Sequence, residues 1–309
     1  MISTRRAGLT TILAGLALMV ATASAGPVRA EGAEPLKVVA TFSILADLAR
    51  QVGGAHVAVT SLVGPDSDAH SYAPAPADAR RIAEADIVIV NGLGFDGWLD
   101  RLVKVSAAKA PVVVAARGVR TIAGDDGHGH GHAHDVDPHA WQSVANVRVY
   151  VANIRDGLAK ADPARAKVYA GNAEAYIRQL DALDGEMRAT LAALPPERRR
   201  IITSHDAFGY LAEAYGLVVL AAQGVSTESE ASPKGIASLI RQIRRERVPA
   251  VFVESIADPR LMEQVARESG ARLGGRLYSD ALSAPGGPAS TYLDLMRANL
   301  RTIAEALKG

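Results

Sequence analysis

Strand-like and helix-like segments alternate along this chain, and the whole alternating order occurs twice. In each half, short runs rich in apolar and β-branched residues predict buried strands: 36–42, 57–63, 86–90 and 111–115, then 200–203, 217–221, 250–254 and 273–278. The segments between them predict helices: 43–52, 77–85 and 98–105, then 206–215, 233–247 and 259–269. Strands that alternate with helices form mainly parallel sheets covered on both faces, so the chain is predicted to fold into two similar α/β lobes.

A segment with no internal proline separates the two halves. Residues 163–194 are rich in Ala, Leu, Glu, Lys and Arg, which are strong helix formers, and Pro195 and Pro196 end the run. About 30 residues with a rise of about 1.5 Å each would extend roughly 45 Å. The sequence therefore predicts one long, rigid helix that joins a first lobe, 35–160, to a second lobe, 196–309, and restricts their relative motion.

Residues 1–25 have the pattern of a secretory signal peptide. Arg5 and Arg6 precede the apolar run 9–20, and small residues follow it up to Ala25. The run is shorter than the roughly 20 residues that span a bilayer, which disfavours a membrane anchor. We therefore expect cleavage after Ala25, with Ala30 as the alternative site, and export by the general or the twin-arginine route.

The chain is nearly neutral and contains no cysteine. It has 34 Lys and Arg against 33 Asp and Glu, a formal net charge of +1, and eight His. Nucleic-acid binding needs clustered excess Lys and Arg, so nucleic acid is not an expected partner. Without cysteine there is no disulfide, thiolate metal site, cysteine nucleophile or thiol for a lipid anchor. We expect an untethered monomer in the periplasm, and any metal must be held by nitrogen and oxygen.

Three histidines lie where ligands collect in α/β proteins. His70 follows a predicted strand, His139 precedes a predicted helix, and His205 ends the first strand of the second lobe. Ligands bind beyond the carboxyl ends of such strands, so the three imidazoles can converge between the lobes, with Asp280 as a fourth ligand. Three nitrogens and one carboxylate suit a transition metal, above all zinc. A single histidine at such a place is more often a turn or core residue, which is how we interpret His56.

Six motifs match one protein family in order along the chain: DSDAHSYAPAPAD, NGLGFDGWLD, DVDPHAWQS, TSHDAFGYLAEAYG, FVES and LYSDAL. Together they resemble the metal-binding subunits of ABC transporters for zinc and manganese, the zinc-uptake and TroA-like solute-binding proteins. The resemblance runs from about Leu36 to the C-terminus. It implies two α/β lobes, a long connecting helix and one metal ion held in the cleft between the lobes.

The resemblance also implies which residues hold the metal. The family's four ligand positions correspond to His70, His139, His205 and Asp280. A histidine at the third position is usual in zinc-type members, whereas manganese-type members usually have Glu there, so His205 favours zinc. Asp280 differs from zinc-type members that leave the fourth position open to water, which weakens the case for exclusive zinc selectivity.

A histidine-rich segment precedes the second of these ligands. Residues 125–135 (DDGHGHGHAHD) are rich in Gly and charge and have no apolar periodicity, which predicts a mobile loop. One interpretation is a capture loop that binds zinc weakly and passes it to the cleft; similar histidine-rich loops occur in zinc-type relatives. The other is a solvated loop that binds metal only because its imidazoles are close together. The accessory histidines are His128, His130, His132 and His134.

The sequence thus predicts a periplasmic zinc-binding protein, not an enzyme, that delivers Zn²⁺ to the permease of an ABC importer in the inner membrane. A periplasmic metallochaperone is a further candidate partner. A manganese-type binding protein is the first alternative, and a metal buffer or adhesin without a transporter is another. An exported zinc hydrolase is disfavoured because catalytic zinc usually keeps one position for water, which Asp280 would fill, and no HExxH motif occurs. Since imidazoles must be neutral to bind, affinity should fall as the pH drops through about 6.5.

Overall fold

Two parallel β-sheets form the centres of two lobes. The computed structural model describes Met1 and residues 34–124, 136–228 and 231–308. The rest of the predicted signal peptide and the histidine-rich segment 125–135, with its four histidines, lie outside the described residues.

The first lobe carries a four-stranded sheet with strand order β2-β1-β3-β4, in which all the pairs are parallel. Its strands are β1 (Leu36–Phe42), β2 (Val57–Val63), β3 (Ile87–Val90) and β4 (Val112–Val114). The helices between them are α1 (Ser43–Gly53), α2 (Pro76–Ala83) and α3 (Leu99–Ser106). Central strand β3 consists of the buried run IVIV, because helices cover both faces of a parallel sheet.

The second lobe repeats this arrangement with strand order β6-β5-β7-β8, again parallel. Its strands are β5 (Arg200–Thr203), β6 (Val218–Ala221), β7 (Ala250–Glu254) and β8 (Arg272–Leu277). The helices between them are α6 (Gly209–Tyr215), α7 (Pro233–Glu246) and α8 (Arg260–Ser269). The shared strand order confirms the prediction of two similar α/β lobes.

Three further helices lie along and between the lobes: α4 (Val144–Ala161), α5 (Ala166–Ala192) and α9 (Tyr292–Lys308). Helix α5, the predicted long helix, has 27 residues and so extends about 40 Å. It packs against α1, α4 and α9. Its buried residues recur every three or four positions, as expected for a helix with one apolar face: Tyr169, Ala173, Tyr176, Leu180, Leu183, Met187 and Leu191.

One hydrophobic core is continuous between the lobes. It includes Leu45 of α1, Leu183 of α5, Leu211 of α6 and Tyr292 of α9, all of which are buried. Separating the lobes widely would expose this apolar surface to water, which is unfavourable. Restricted lobe motion stays a prediction, for which this packing supplies a physical reason. No helix in the described part of the chain is both long and apolar enough to span a membrane.

The structure differs from the sequence predictions mainly at helix α6. The helix begins at Gly209, three residues later than predicted, because the chain turns between β5 and α6. The backbone N–H of Ala207 donates to the carbonyl of His205 in this turn. Consequently His205 lies in the turn between β5, which ends at Thr203, and α6, which begins at Gly209.

Candidate metal centre

His70 lies on the loop that follows β2, and a nearby carboxylate fixes this loop. Asp68 Oδ1 accepts the backbone N–H of His70 at 2.9 Å. Its other oxygen, Oδ2, accepts the hydroxyls of Ser71 at 2.8 Å and of Thr227, from the second lobe, at 2.7 Å. One carboxylate therefore holds the His70 backbone and connects the two lobes beside it.

His139 precedes a short turn, Ala140–Gln142, that leads into α4. Asp137 Oδ1 lies 2.7 Å from His139 Nδ1 and also accepts the His139 backbone N–H at 2.8 Å. Both residues are buried. A carboxylate at Nδ1 selects the tautomer in which Nδ1 carries the proton, so Nε2 is free to bind a metal.

His205 has the same arrangement in the second lobe. It follows β5, and Glu254, the last residue of β7, accepts the His205 backbone N–H at 2.9 Å through Oε1. Glu254 Oε2 lies 2.7 Å from His205 Nδ1, which is within ion-pair distance, but the two groups are not aligned as a hydrogen bond. Again Nδ1 faces a carboxylate and Nε2 faces the space between the lobes.

The four predicted ligands meet at one point. One ligand atom from each of His70, His139, His205 and Asp280 lies within 4.8 Å of all the others. Nε2 of His70 is 3.2 Å from Nε2 of His139. The nearest oxygen of Asp280 lies 3.3 Å from Nε2 of His70, 3.8 Å from that of His139 and 3.2 Å from that of His205.

The site is buried, and the carboxylate at its centre makes no aligned hydrogen bond. The side chains of His139, His205 and Asp280 are fully buried, and that of His70 is 6% exposed. Neither oxygen of Asp280 has a hydrogen-bond partner among the described residues. A buried carboxylate without hydrogen bonds is costly unless a cation compensates it. The donor set of three imidazole nitrogens and one carboxylate fits a divalent transition metal.

The charges of the site shift the pKa values of its residues. Burial opposes the positive charge on His205, but the carboxylates of Glu254 and Asp280 outweigh burial and raise the pKa of its imidazole well above 6.5. Burial also opposes the charge on Asp280, yet His205 and His139 hold its pKa well below 3.8. For His70, burial dominates and lowers the pKa. Without a metal, the two carboxylates therefore favour the protonated form of His205.

Aromatic rings close one side of the site. The ring of Phe95 lies 4.8 Å from the His70 ring, and the ring of Trp141 lies 5.3 Å from the His139 ring, between centroids. Trp141 Nε1 donates to the carbonyl of Ser279 at 2.8 Å, which connects the first lobe to the residue before Asp280. These rings keep water out, and the low local polarity strengthens electrostatic interactions inside the site.

The structure thus brings together all four residues that the sequence singled out. His56 lies in the turn Gly54–His56 after α1 and does not belong to the cluster. Asp68 and Glu254 support the site although the sequence analysis gave them no role. Glu254 ends an otherwise apolar, fully buried strand, and a glutamate in such a place is rarely buried without a partner, which is a usable signal.

Comparisons with known proteins agree with this architecture. The family described as the periplasmic component A of the zinc-uptake complex matches residues 38–306. The chain is 35% identical over 301 residues to the iron-binding protein YfeA of Yersinia pestis, covering 97% of this chain and 96% of that protein. It is 34% identical over 277 residues to the manganese-binding lipoprotein MntA of Halalkalibacterium halodurans, covering 90% of each.

The solved structure of the periplasmic zinc-binding protein TroA from Treponema pallidum is similar as well. It superimposes with a TM-score of 0.82 at 30% sequence identity, covering 88% of this chain and 99% of TroA. The family consists of solute-binding transport proteins, not enzymes. This chain therefore belongs to the family of the periplasmic zinc-uptake component A, and it is an extracytoplasmic metal-binding component of an ABC transporter.

Proposed function

We propose that this protein binds one Zn²⁺ ion tightly in the periplasm and delivers it to the permease of an ABC importer. The observation that carries the proposal is the buried convergence of His70, His139, His205 and Asp280. Nitrogen-rich, four-ligand sites are typical of zinc, whereas calcium and magnesium prefer oxygen ligands. Asp137 and Glu254 support the assignment, because carboxylates commonly hold the second nitrogen of a zinc-binding imidazole.

The spacing of the ligand atoms is compatible with zinc. Ligands at the usual zinc distances of about 2.0–2.2 Å lie about 3.3–3.6 Å apart at the corners of a tetrahedron. The separations between His70 and His139 and between His205 and Asp280 are both 3.2 Å. All the ligand atoms lie within 4.8 Å of one another, so side-chain movements of about 1 Å would be enough for them to surround one ion.

The ligands come in equal numbers from the two lobes, which suggests how the ion is released. His70 and His139 belong to the first lobe, and His205 and Asp280 belong to the second. A small displacement of one lobe at the membrane transporter would therefore separate two ligands from the other two and weaken binding. No bond of the cargo is made or broken except its coordination bonds.

Manganese or iron is the alternative cargo, and specific observations favour keeping it. YfeA is named for iron and MntA for manganese. The fourth ligand, Asp280, is a hard oxygen donor that suits manganese. Against this, His205 supplies a third imidazole, and among the divalent ions of these metals zinc binds nitrogen ligands most tightly.

A competition experiment tests the cargo and the ligands together. The mature protein is loaded with equimolar zinc and manganese, and the bound metal is counted by elemental analysis. We expect one zinc per chain, and we expect His70→Ala, His139→Ala and His205→Ala each to lose it. His56→Ala is the matched control and should keep it. Preferential manganese binding would overturn the zinc assignment, and tight zinc in all three ligand variants would overturn the site.

Further parts of the proposal concern the segments outside the described residues. We propose that residues 1–25 are a cleaved signal peptide and that the histidines of segment 125–135 form a weaker accessory zinc site. Asp137 donates its backbone N–H to the carbonyl of Ile122 at 3.0 Å, so described residues on the two sides of this segment lie next to each other, two residues before His139. Although MntA is named a lipoprotein, this sequence has no cysteine for a thiol-linked lipid. We therefore propose an untethered monomer, with a periplasmic metallochaperone as a further partner.

A further inference from the structure

The beginning of helix α6, in the second lobe, contacts the segment of the first lobe that carries His139. The hydroxyl of Tyr210 donates to the backbone carbonyl of Asp137 at 2.8 Å and accepts the backbone N–H of Ile122 at 3.3 Å. Asp137 in turn donates its N–H to the carbonyl of Ile122 at 3.0 Å. Tyr210 is 3% exposed, so one buried hydroxyl from the second lobe joins two chain segments of the first.

The preceding residue, Gly209, approaches the same carboxylate closely. A Cβ atom at Gly209 would lie 2.8 Å from Asp137 Oδ2 and 2.9 Å from Ile122 Cδ1, both too close for an ordinary contact. Its backbone is not in the left-handed region, so the constraint at this position is one of space: a larger residue would have to displace the side chains of Asp137 and Ile122. The backbone of the second lobe therefore lies directly against the side chain that orients His139.

Asp137 transmits this contact to the metal centre. Its Oδ1 binds His139 twice, at Nδ1 and at the backbone N–H, while its carbonyl and Oδ2 face α6. Helix α6 also begins four residues after His205. The short segment 205–209 therefore carries one ligand and contacts Asp137, which supports the ligand His139. A shift of α6 would thus move His205 and disturb the orientation of His139 at the same time.

We propose that Gly209 and Tyr210 are positioning residues of the metal site, through which the second lobe sets the orientation of His139 by way of Asp137. The inference rests on the proposed function of the site and adds a second route by which lobe displacement weakens coordination. His139 is then aligned for binding only while the lobes are in the arrangement seen here.

The test compares zinc dissociation from the Tyr210→Phe and Gly209→Ala proteins with that from the wild type, using a chelating dye as the acceptor. Tyr215→Phe is the matched control, because its hydroxyl lies on the same helix but donates to Asp184 at 2.9 Å, away from the site. Loss of the support behind a metal-binding imidazole typically changes affinity about 10–100-fold. We expect dissociation to accelerate by a factor in this range in the two test proteins and to stay at the wild-type rate in the control.

Two readouts separate positioning from a purely structural role. The absorption spectrum of the cobalt-loaded protein reports the geometry of the ligands, and we expect it to change in Tyr210→Phe but not in Tyr215→Phe. In a double-mutant cycle, Asp137→Asn should remove most of the effect of Tyr210→Phe, because both act on the same imidazole. Additive effects, or equal effects of Tyr210→Phe and Tyr215→Phe, would overturn the inference.

Failure of this inference is distinguishable from failure of the proposed function. If His139→Ala loses tight zinc while Tyr210→Phe and Gly209→Ala behave like the wild type, the site stands and the positioning role is wrong. If His139→Ala keeps tight zinc, the proposed site itself is wrong. Urea unfolding of each metal-free protein shows whether a variant has folded.

Discussion

Replacing Glu254 by Gln removes one charge behind a proposed metal ligand with little change in shape. Glu254 Oε1 accepts the His205 backbone N–H at 2.9 Å, and Oε2 lies 2.7 Å from His205 Nδ1, with both side chains fully buried. Gln keeps a carbonyl oxygen for the backbone N–H but cannot polarise the imidazole. Removing such a carboxylate typically lowers metal affinity about 10–100-fold, which corresponds to about 1.4–2.7 kcal/mol of binding free energy.

The size of this loss depends on pH in a defined direction. In the metal-free protein, burial opposes the charge on His205, but the charge of Glu254 is the largest contribution that raises its pKa. A proton on His205 competes with the metal, so wild-type affinity rises with pH until His205 is neutral. In Glu254→Gln the pKa of His205 is lower, so the proton stops competing with the metal at a lower pH than in the wild type. The affinity deficit of the variant should therefore widen from neutral to alkaline pH.

The assay is a titration against a chelating dye at several pH values, with calorimetry in buffers of different ionisation enthalpy to count released protons. Wild-type protein should release more protons per metal near neutral pH than Glu254→Gln. Glu305→Gln, at an exposed position of α9, is the control and should match the wild type. A deficit that stays constant or narrows as the pH rises would refute the role of Glu254 in setting the pKa of His205. No deficit at any pH would refute its role in binding.

Further predictions concern stability and the accessory segment. Trp141→Phe removes the donor to the carbonyl of Ser279 but leaves the Gln142 amide bonded to the same oxygen, so urea unfolding should show a loss of about 1 kcal/mol. Leu183→Ala, in the fully buried face of α5, should cost about 2–5 kcal/mol in the same measurement; a loss below about 1 kcal/mol would contradict the core between the lobes. Deleting 125–135 should leave one tightly bound zinc and remove weaker binding in a zinc titration, and loss of the tight site would contradict the division into two sites.

The regular elements of the two lobes could be predicted from the sequence because both faces of each sheet are covered. Strands such as Ile87–Val90 and Ala250–Glu254 are short, fully buried runs, and glycines such as Gly216 and Gly270 end the helices in left-handed conformation. Helix α9 was not delimited in the sequence analysis. No strand follows it to mark its place in the alternating pattern, and its packing against α5 and β8 depends on the tertiary structure.

The site could be predicted in part. Position relative to strand ends identified candidates such as His205, because the topology of parallel sheets brings those ends to one edge. The contacts of Glu254 with His205 and of Tyr210 with Asp137 could not be predicted, since each joins residues distant in sequence. The expected fall in affinity near about pH 6.5 also needs revision, because Glu254 and Asp280 raise the pKa of His205 well above that value.

The central claim is that one zinc ion lies between the lobes, bound by two residues from each. Anomalous diffraction at the zinc absorption edge, on crystals of the zinc-loaded mature protein, tests it most directly. The account predicts a full-occupancy zinc peak within about 2.0–2.2 Å of Nε2 of His70, His139 and His205 and of a carboxylate oxygen of Asp280. A zinc peak bound by residues of only one lobe, or no peak at this position, would contradict it.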